Sequence, residues 1–592
     1  MLLAEPLPRR ILAWQLKGAG FEHLGADGGP DEVPFPPYGE GDVIGRVEAV
    51  GICYSDAKLV RAGGSHPRLR GRDLAAAPVT PGHEVTLTVV GVGERRRGQV
   101  RLGARYILQP DVYYGGRTLA VGYQLPGALA QYVVLGREVL DGDEGCYLVP
   151  LPKQVGSVEG ALVEPWTCVV AAYQIAARTH LRSGGTLRLY GFAGQPALDL
   201  ARTTFGAVPE RLGVTAPPAD SAAPPPRQVI ASGLSRANRE ALEAWAGALG
   251  VPVVWQDGAP PRGADDVVVA GIPAPAEWMK RLFAALPRHA VVSVHVPPDF
   301  TAATTLACDI GRIHYQGIRL VGRCDGNVAA AYAGATRREL ARGGRAWFVG
   351  GAGPMGQMHV LHALAQPQPP ATVVVTDLSP VRLQALGERA AALGLPAPVL
   401  LPVDAEQPAL EAELLRLAPA GFDDVVLLAP SAAAAEHAAR FLGTAGYLNV
   451  FAGVAEGSIA HLPLSSITAG ARVAGTTGSP LAATVQTLNL VAAGKLRPGM
   501  VLGALADLGH GRAAVEAVAE GRIAGKVVLL PFVRELGLQT LDDLAAGSAD
   551  WRRALAGGRH WSRAAERLCA ANEGYPAGGA ASQSAAGQAP AS

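Results

Sequence analysis

The sequence predicts an α/β protein in which a β-rich amino-terminal domain precedes two copies of a strand–helix unit. Three observations carry that reading. The first 180 or so residues hold short β-branched runs bounded by Gly or Pro, the region from Gly184 to about Pro531 alternates strands with helices, and that region repeats itself. The β-rich part is typified by Asp42-Val-Ile-Gly-Arg-Val-Glu-Ala-Val-Gly, Val85-Thr-Leu-Thr-Val-Val-Gly-Val-Gly and Ala130-Gln-Tyr-Val-Val-Leu. A helix is expected over Val163 to Arg178, where alanines accumulate.

The repeat rests on three collinear matches. Leu234–Gly250 aligns without gaps on Leu378–Gly394, with eight of 17 positions identical. Asp265-Asp-Val-Val-Val-Ala corresponds to Asp423-Asp-Val-Val-Leu-Leu, and Gly317-Ile-Arg-Leu-Val-Gly to Gly470-Ala-Arg-Val-Ala-Gly. The expected borders are 1–182 for the β-rich domain, 183–335 and 336–500 for the two copies, 501–535 for a segment returning to the first domain, and 536–592 for short helices and a tail. The proline-rich run Ala216 to Pro226 is expected to be irregular, and the Ala/Gly/Ser/Gln stretch from Gly574 disordered.

Composition excludes several classes. At 592 residues the chain can bury several cores without a disulfide or metal scaffold. Apolar residues make up 49%, yet runs such as Asp266-Val-Val-Val-Ala are strand-length, far below the roughly 20 residues of a spanning helix. The start, Met1-Leu-Leu-Ala-Glu-Pro-Leu-Pro, has an acid and two prolines where an export signal has a basic and then an apolar region. With 52 basic against 51 acidic residues and no single-sign block, the basic excess of a nucleic-acid binder is missing. Six cysteines without paired spacing fit a reducing compartment. A cytoplasmic protein without membrane or nucleic-acid partners is expected.

Gly351-Ala-Gly-Pro-Met-Gly356 is a GxGxxG element between a strand, Ala346-Trp-Phe-Val-Gly, and a helical stretch from Gln357. Such glycines allow the tight turn and let a pyrophosphate approach the backbone at a helix N-terminus. The next strand ends in Asp377, 21 residues after Gly356, where a carboxylate accepts the ribose hydroxyls of NAD and repels the 2′-phosphate of NADP. Gly351, Gly353, Pro354, Met355, Gly356, Asp377 and Arg382 are therefore the cofactor-side candidates of a Rossmann unit binding NAD. The first copy reads Tyr190-Gly-Phe-Ala-Gly-Gln-Pro at the equivalent turn and Gly233 in place of Asp377, so it is expected to be a degenerate Rossmann unit.

The metal candidates lie in the first domain. Gly51-Ile-Cys-Tyr-Ser-Asp56 offers the Cys53 thiol, Pro81-Gly-His-Glu84 offers His83 and Glu84, and Glu164-Pro165 a further carboxylate at a helix start. Sulfur, nitrogen and oxygen donors around an open position suit catalytic zinc. Neighbours on a regular strand face opposite ways, so His83 and Glu84 meet one ion only where the chain bends.

Taken in order, GICxSD, PGHE, the EP element, GxGxxG and the strand-end Asp resemble the zinc-dependent medium-chain alcohol dehydrogenases, nearest the sorbitol and sugar-phosphate polyol branch. The resemblance covers roughly residues 10–182 and 340–535, including Gly525-Lys-Val-Val-Leu. It implies a GroES-like catalytic domain, one catalytic zinc and NAD, with hydride transfer between a secondary alcohol or polyol, a sugar phosphate within that class, and the ketone. It implies zinc ligands Cys53, His83 and either Glu84 or Glu164, a proton path through Ser55, and Asp56 as an orienter. Tyr54 and Trp166 stand beside these residues as pocket walls or packing.

The sequence departs from the family in three ways. Residues 85–145 hold no cysteine, so no structural zinc is expected. Cys53 and His83 are 30 residues apart, a long spacing that contains the arginines Arg68, Arg70 and Arg72, candidates for a sugar phosphate; the loop reads as an insertion or a cleft rim. The degenerate copy is no family feature, and it reads as an intrachain stand-in for a partner's nucleotide domain or as a spacer, leaving a homo-oligomer or an intrachain pseudo-dimer. The competing functions are a zinc-free quinone or enone reductase and a non-catalytic NAD-binding scaffold.

Overall fold

A computed structural model describes residues 1–69, 71–174, 178–208, 218–256, 263–271, 276–300, 304–333, 339–403, 407–475, 477–557 and 559–572. Arg70, the start of the proline-rich run and the tail from Gly574 lie outside these residues. Among the described residues no helix is long and apolar enough to cross a membrane. The chain divides into two compact units: Met1–Glu164 with the segment from Val485 onward, and Pro165–Thr484. Both borders fall inside helices, Val163–Ala172 and Leu481–Ala492. A continuous helix carries no turn signal, which is why sequence reading set the borders later, at 182 and 500.

In the first unit the long strands β1 (Val43–Ile52) and β2 (Glu84–Val92) pair antiparallel, and between them runs helix α1 (Tyr54–Ala62). Both strands are buried almost throughout, as the continuous β-branched runs require. Strands β3 (Arg105–Leu108), β4 (Tyr132–Leu135) and β5 (Leu148–Pro150) extend the sheet, β4 pairing with β1. Helix α2 (Ser157–Ala161) lies against β2 so closely that a Cβ on Gly160 would stand 2.4 Å from Thr86 Oγ1.

The second unit is built on one twelve-stranded sheet. Its first half comprises β6 (Thr186–Gly191), β7 (Gln228–Ser232), helix α3 (Arg236–Ala248), β8 (Val253–Trp255), β9 (Asp266–Ala270), β10 (Val291–His295), β11 (Thr305–Asp309) and β12 (Arg319–Arg323). Its second half comprises β13 (Arg345–Val349), helix α4 (Pro354–Leu364), β14 (Thr372–Asp377), helix α5 (Pro380–Ala392), β15 (Val399–Pro402), β16 (Phe422–Leu427), β17 (Leu442–Val450), β18 (Ile459–Pro463) and β19 (Arg472–Gly475). The sheet runs β8-β7-β6-β9-β10-β12-β19-β17-β16-β13-β14-β15. Each half thus has the parallel order 3-2-1-4-5-6 of a doubly wound dinucleotide fold. The halves meet antiparallel at β12 and β19, Leu320 opposite Val473, and again through the five-residue ladder of β11 on β18.

The same hydrogen bonds recur in both halves. The amide of Thr186, opening β6, donates to Asp265 Oδ2 at 2.8 Å, and that of Arg345, opening β13, to Asp423 Oδ2 at 2.8 Å. Four residues earlier, the Arg182 amide donates to Asp266 Oδ2 and the Ala341 amide to Asp424 Oδ2. The Asp-Asp pairs of the repeat therefore anchor the entrance of the first strand of each half.

The chain then returns to the first unit as β20 (Leu502–Asp507), β21 (Lys526–Leu530) and β22 (Leu538–Thr540), with β21 pairing antiparallel with β1. Beyond the expected return segment, helix α6 (Arg563–Asn572) places Glu566 against α2: its Oε1 accepts from the Val158 amide at 3.0 Å and its Oε2 from Trp561 Nε1 at 3.0 Å.

The second unit buries histidines as neutral rings. Burial lowers His295 to about 4 and His359 to about 3, well under the ordinary value. A depressed folded-state pKa means that stability is full above the unfolded value near 6.5 and is lost as pH falls towards the folded value. Each ring contributes a slope of roughly 1.4 kcal/mol per pH unit in that window. Urea unfolding at pH 7, 6 and 5 should show a falling midpoint, with a shallower fall in His359→Gln; a pH-independent midpoint would contradict this.

Candidate active site

The end of β1, the start of α1 and the start of β2 bring the candidate residues together. Cys53 precedes α1, Glu84 opens β2, and His83 stands at the bend before it. Gly82 supplies that bend with φ +95°, a left-handed conformation that a side chain disfavours. One donor atom from each of Cys53, His83 and Glu84 lies within 4.8 Å of the others, the one such cluster of three among the described residues.

Asp56 orders this corner. Its Oδ2 accepts from the Cys53 amide at 2.9 Å and its Oδ1 from the Gly82 amide at 3.2 Å. His83 Nδ1–H donates to the same Oδ1 at 3.2 Å, leaving Nε2 towards the thiol side, 3.4 Å from Ser55 Oγ. A ligating histidine is commonly fixed in this way by a carboxylate on its other nitrogen. Burial disfavours charge on His83, but Asp56 and Cys53 more than offset it and hold its pKa well above the usual value. Burial likewise pushes Asp56 up, and His83 with the two amides pulls it below the usual range. An environment this negative favours a cation.

Glu84 is fully buried, and Gly51 makes room for it: a Cβ there would stand 2.0 Å from Glu84 Oε2. Glu84 Oε1 accepts from Lys526 Nζ at 2.5 Å, and Lys526 also donates to the Ile52 carbonyl at 3.0 Å. Glu84 Oε2 is buried without a hydrogen-bond partner. Thiol, imidazole and an orphaned carboxylate oxygen are the donors a catalytic zinc takes, so the residues present fit that ion. Glu164, in the first turn of its helix, is not part of the cluster of three. Burial raises it to about 7, with His83 and Lys526 opposing and Glu84 adding to the rise.

The sequence singled out neither Lys526 nor Tyr123. Lys526 lay within the quoted Gly525-Lys-Val-Val-Leu strand, and its partner is 442 residues away. Tyr123 donates its hydroxyl to the Ser55 carbonyl at 3.4 Å and sets its ring 6.4 Å from that of His83; no motif marks it. Trp166 is fully buried, as packing requires, whereas Tyr54 is exposed with Lys58 Nζ 5.4 Å over its ring.

In the second unit Gly351–Gly356 forms the turn between β13 and α4, with Gly353 as N-cap and Pro354 and Met355 opening the helix. A Cβ on Gly356 would stand 2.5 Å from the Gly351 backbone, so helix and turn touch there. A Cβ on Gly353 would meet nothing within 4 Å, so the backbone is open to a ligand. Asp377 ends β14: its Oδ2 accepts from the Ala352 amide at 3.1 Å, its Oδ1 from the Ser379 amide at 3.0 Å and from Arg382 Nη2 at 2.9 Å. The carboxylate is thereby tied to the glycine turn. The next residue, Leu378, is 78% exposed, a large apolar side chain left uncovered beside it. In the first half the equivalent turn is filled by a side chain: Gln195 Nε2 donates to the Gly233 carbonyl at 2.8 Å, and Gln195 Oε1 accepts from the Ser235 amide at 3.0 Å.

Comparison with known proteins agrees with the motif reading. Residues 39–140 match the alcohol dehydrogenase GroES-like domain. The chain is 30% identical to L-sorbose 1-phosphate reductase of Klebsiella pneumoniae over 27% of its own length and 38% of that protein's. It is 29% identical to sorbitol dehydrogenase of Bombyx mori over 24% and 41%. With an uncharacterized zinc-type alcohol dehydrogenase-like protein of Haemophilus influenzae it shares 30% identity over 30% and 51%. The chain thus spans about two-fifths to one half of these relatives. Among solved structures, 2R,3R-butanediol dehydrogenase of Bacillus subtilis aligns over 88% of this chain and 99% of its own, at 15% identity and TM-score 0.48. The domain match at residues 39–140 and the likeness to zinc-type, sorbitol and sorbose-phosphate proteins, each over under a third of this chain, point the same way.

Removing one partner of a buried ion pair strands the other as an uncompensated charge, at a cost of about 3–5 kcal/mol. Lys526→Met should therefore destabilise the first unit on that scale, and adding Glu84→Gln should recover much of the loss. Denaturant unfolding of the two variants checks this; equal stability of Lys526→Met and wild type would contradict it.

Proposed function

We propose that the protein is a zinc- and NAD-dependent oxidoreductase interconverting a secondary alcohol or polyol, phosphorylated polyols included, with its ketone. One observation carries the reading: Cys53, His83 and the orphaned Glu84 Oε2 converge in a chain that also presents the Gly351–Gly356 turn and Asp377. The branch of the relatives supports the substrate class.

Cys53, His83 and Glu84 would hold the metal, with Glu164 as the alternative carboxylate. A zinc ion there would supply Lewis-acid polarisation of the substrate oxygen, and NAD the hydride acceptor. Asp56 holds the proton of His83 on Nδ1, so that Nε2 would be the nitrogen to hold the metal. Ser55 Oγ, beside His83, takes the hydroxyl proton of the substrate and passes it outward. The open backbone at Gly353 receives the pyrophosphate at the start of α4. Asp377 accepts the ribose hydroxyls and disfavours a 2′-phosphate, Arg382 steadies the carboxylate, and Leu378 offers an apolar wall to the adenine.

About one zinc per chain is expected in gently purified protein, lost in Cys53→Ser, and weakened more by Glu84→Gln than by Glu164→Gln under chelator competition. Reduction of NAD by polyols should exceed that of NADP, and Asp377→Ser should narrow the gap. Protein that takes up no zinc on reloading would be a zinc-free reductase, or a scaffold if it also turns over no enone or quinone.

The first half of the sheet has a structural role in this reading. It fills, within one chain, the place a second nucleotide unit would take, covering the β19 edge that would otherwise invite pairing. The antiparallel β12–β19 and β11–β18 pairs support this. Light scattering at micromolar concentration should return a single chain of 60.9 kDa; a stable dimer would contradict the internal pairing as a substitute for self-association.

A further inference from the structure

The long Cys53–His83 spacing contains α1 and the chain after it. After α1 it makes two 3₁₀ turns, Gly63–Ser65 and Pro67–Leu69. Arg72 fastens its end by donating to the carbonyls of Ala77 at 2.8 Å, Pro78 at 2.8 Å and Tyr123 at 3.3 Å. That arginine is committed to backbone.

Arg68 is placed differently. Its Cζ lies 5.3 Å over the ring of Tyr123, and the His66 ring is 5.1 Å from the same ring. The Tyr123 ring in turn lies 6.4 Å from that of His83 at a tilt of 42°, so one aromatic ring stands between the candidate metal ligand and a guanidinium. Asp111 Oδ1 accepts from both Nη1 and Nη2 of Arg68 at 3.3 and 3.2 Å, and Gln124 Nε2 donates to its carbonyl at 3.0 Å. The side chain is nonetheless 41% exposed. Lys58 adds a second cation, and His66 feels both: burial first, then Arg68 and Lys58, lower its pKa. Arg61 lies on the same helix with its guanidinium on the Tyr54 hydroxyl and the Ala519 carbonyl.

We propose that Arg68, aligned by Asp111 and assisted by Lys58, is the phosphate subsite of the substrate cleft, so that the enzyme's substrates are polyol monophosphates rather than neutral polyols. The inference rests on the dehydrogenase reading above. The carbinol would lie by Ser55 and His83, the carbon chain along the Tyr123 ring, and the terminal phosphate on the guanidinium edge that Asp111 leaves open. Guanidinium and phosphate pair through charge-assisted hydrogen bonds, whereas a neutral hydroxyl gains far less from that site.

Steady-state kinetics on matched pairs test this: glucitol with glucitol 6-phosphate, and mannitol with mannitol 1-phosphate, using zinc-loaded wild type, Arg68→Met, Arg68→Lys and Lys58→Met. Met keeps much of the apolar stem that covers Tyr123 while removing the charge. At least one phosphate ester should be preferred over its neutral partner. Arg68→Met should lower the ester-to-neutral ratio of kcat/KM by roughly 10- to 100-fold, carried by KM, with partial recovery in Arg68→Lys and a smaller loss in Lys58→Met. Equal turnover of both members, or an Arg68→Met loss that leaves the ratio unchanged, overturns the subsite while the dehydrogenase reading stands. Turnover of neither member of any pair by zinc-loaded protein overturns the polyol dehydrogenase reading, and the subsite falls with it.

Discussion

The candidate catalytic corner depends on the buried contact between Glu84 and Lys526. Glu84 sits where β2 begins, pressed against Gly51 at the end of β1, with no solvent to share its charge. Lys526 takes one carboxylate oxygen and simultaneously the carbonyl of Ile52, so one ammonium joins β21, β1 and β2. A pair of this kind contributes little net stability, but it strongly penalises any arrangement that separates the partners. The return strand must therefore dock before the corner is complete. The other carboxylate oxygen is left without a partner, beside a thiol and an imidazole already oriented by Asp56.

The two halves of the second unit share some contacts and differ in others. Asp265 and Asp266 repeat, bond for bond, what Asp423 and Asp424 do at the start of their half. Those contacts hold a strand entrance in a buried parallel sheet, where an amide without an acceptor is costly, and both copies keep them. The glycine turns differ. Gln195 fills the first with its own hydrogen bonds, while the second stays open at Gly353 and tied to Asp377. The strand-entrance contacts are common to both halves, and those at the glycine turn are not.

The loop before His83 illustrates how a charge count misleads without geometry. Three arginines fall within five residues of sequence, equivalent candidates for an anion. Arg72 is consumed by three carbonyls and Arg68 is presented over Tyr123, while Arg70 lies outside the described residues. The loop's His66 and Arg68 both reach the ring of Tyr123, which lies 6.4 Å from that of His83. Tyr123, which links the two, carries no motif because its place comes from tilted ring contacts with residues distant in the chain.

By itself the sequence determined the elements whose signals are local. The β-rich domain, the strand–helix alternation, the repeat and the GxGxxG turn are written in β-branched runs, alanine-rich helices and glycines a few residues apart. Cys53, His83 and Glu84 were legible as donors because donor chemistry belongs to the residue type. Only the tertiary structure decided that His83 and Glu84 face one point, since that needed the Gly82 bend and the room left at Gly51. It also placed Lys526 on Glu84 and put β12 against β19, pairings between residues hundreds and more than one hundred positions apart. Spacing and composition report neighbours along the chain; burial of charge and the completion of a sheet edge depend on neighbours in space.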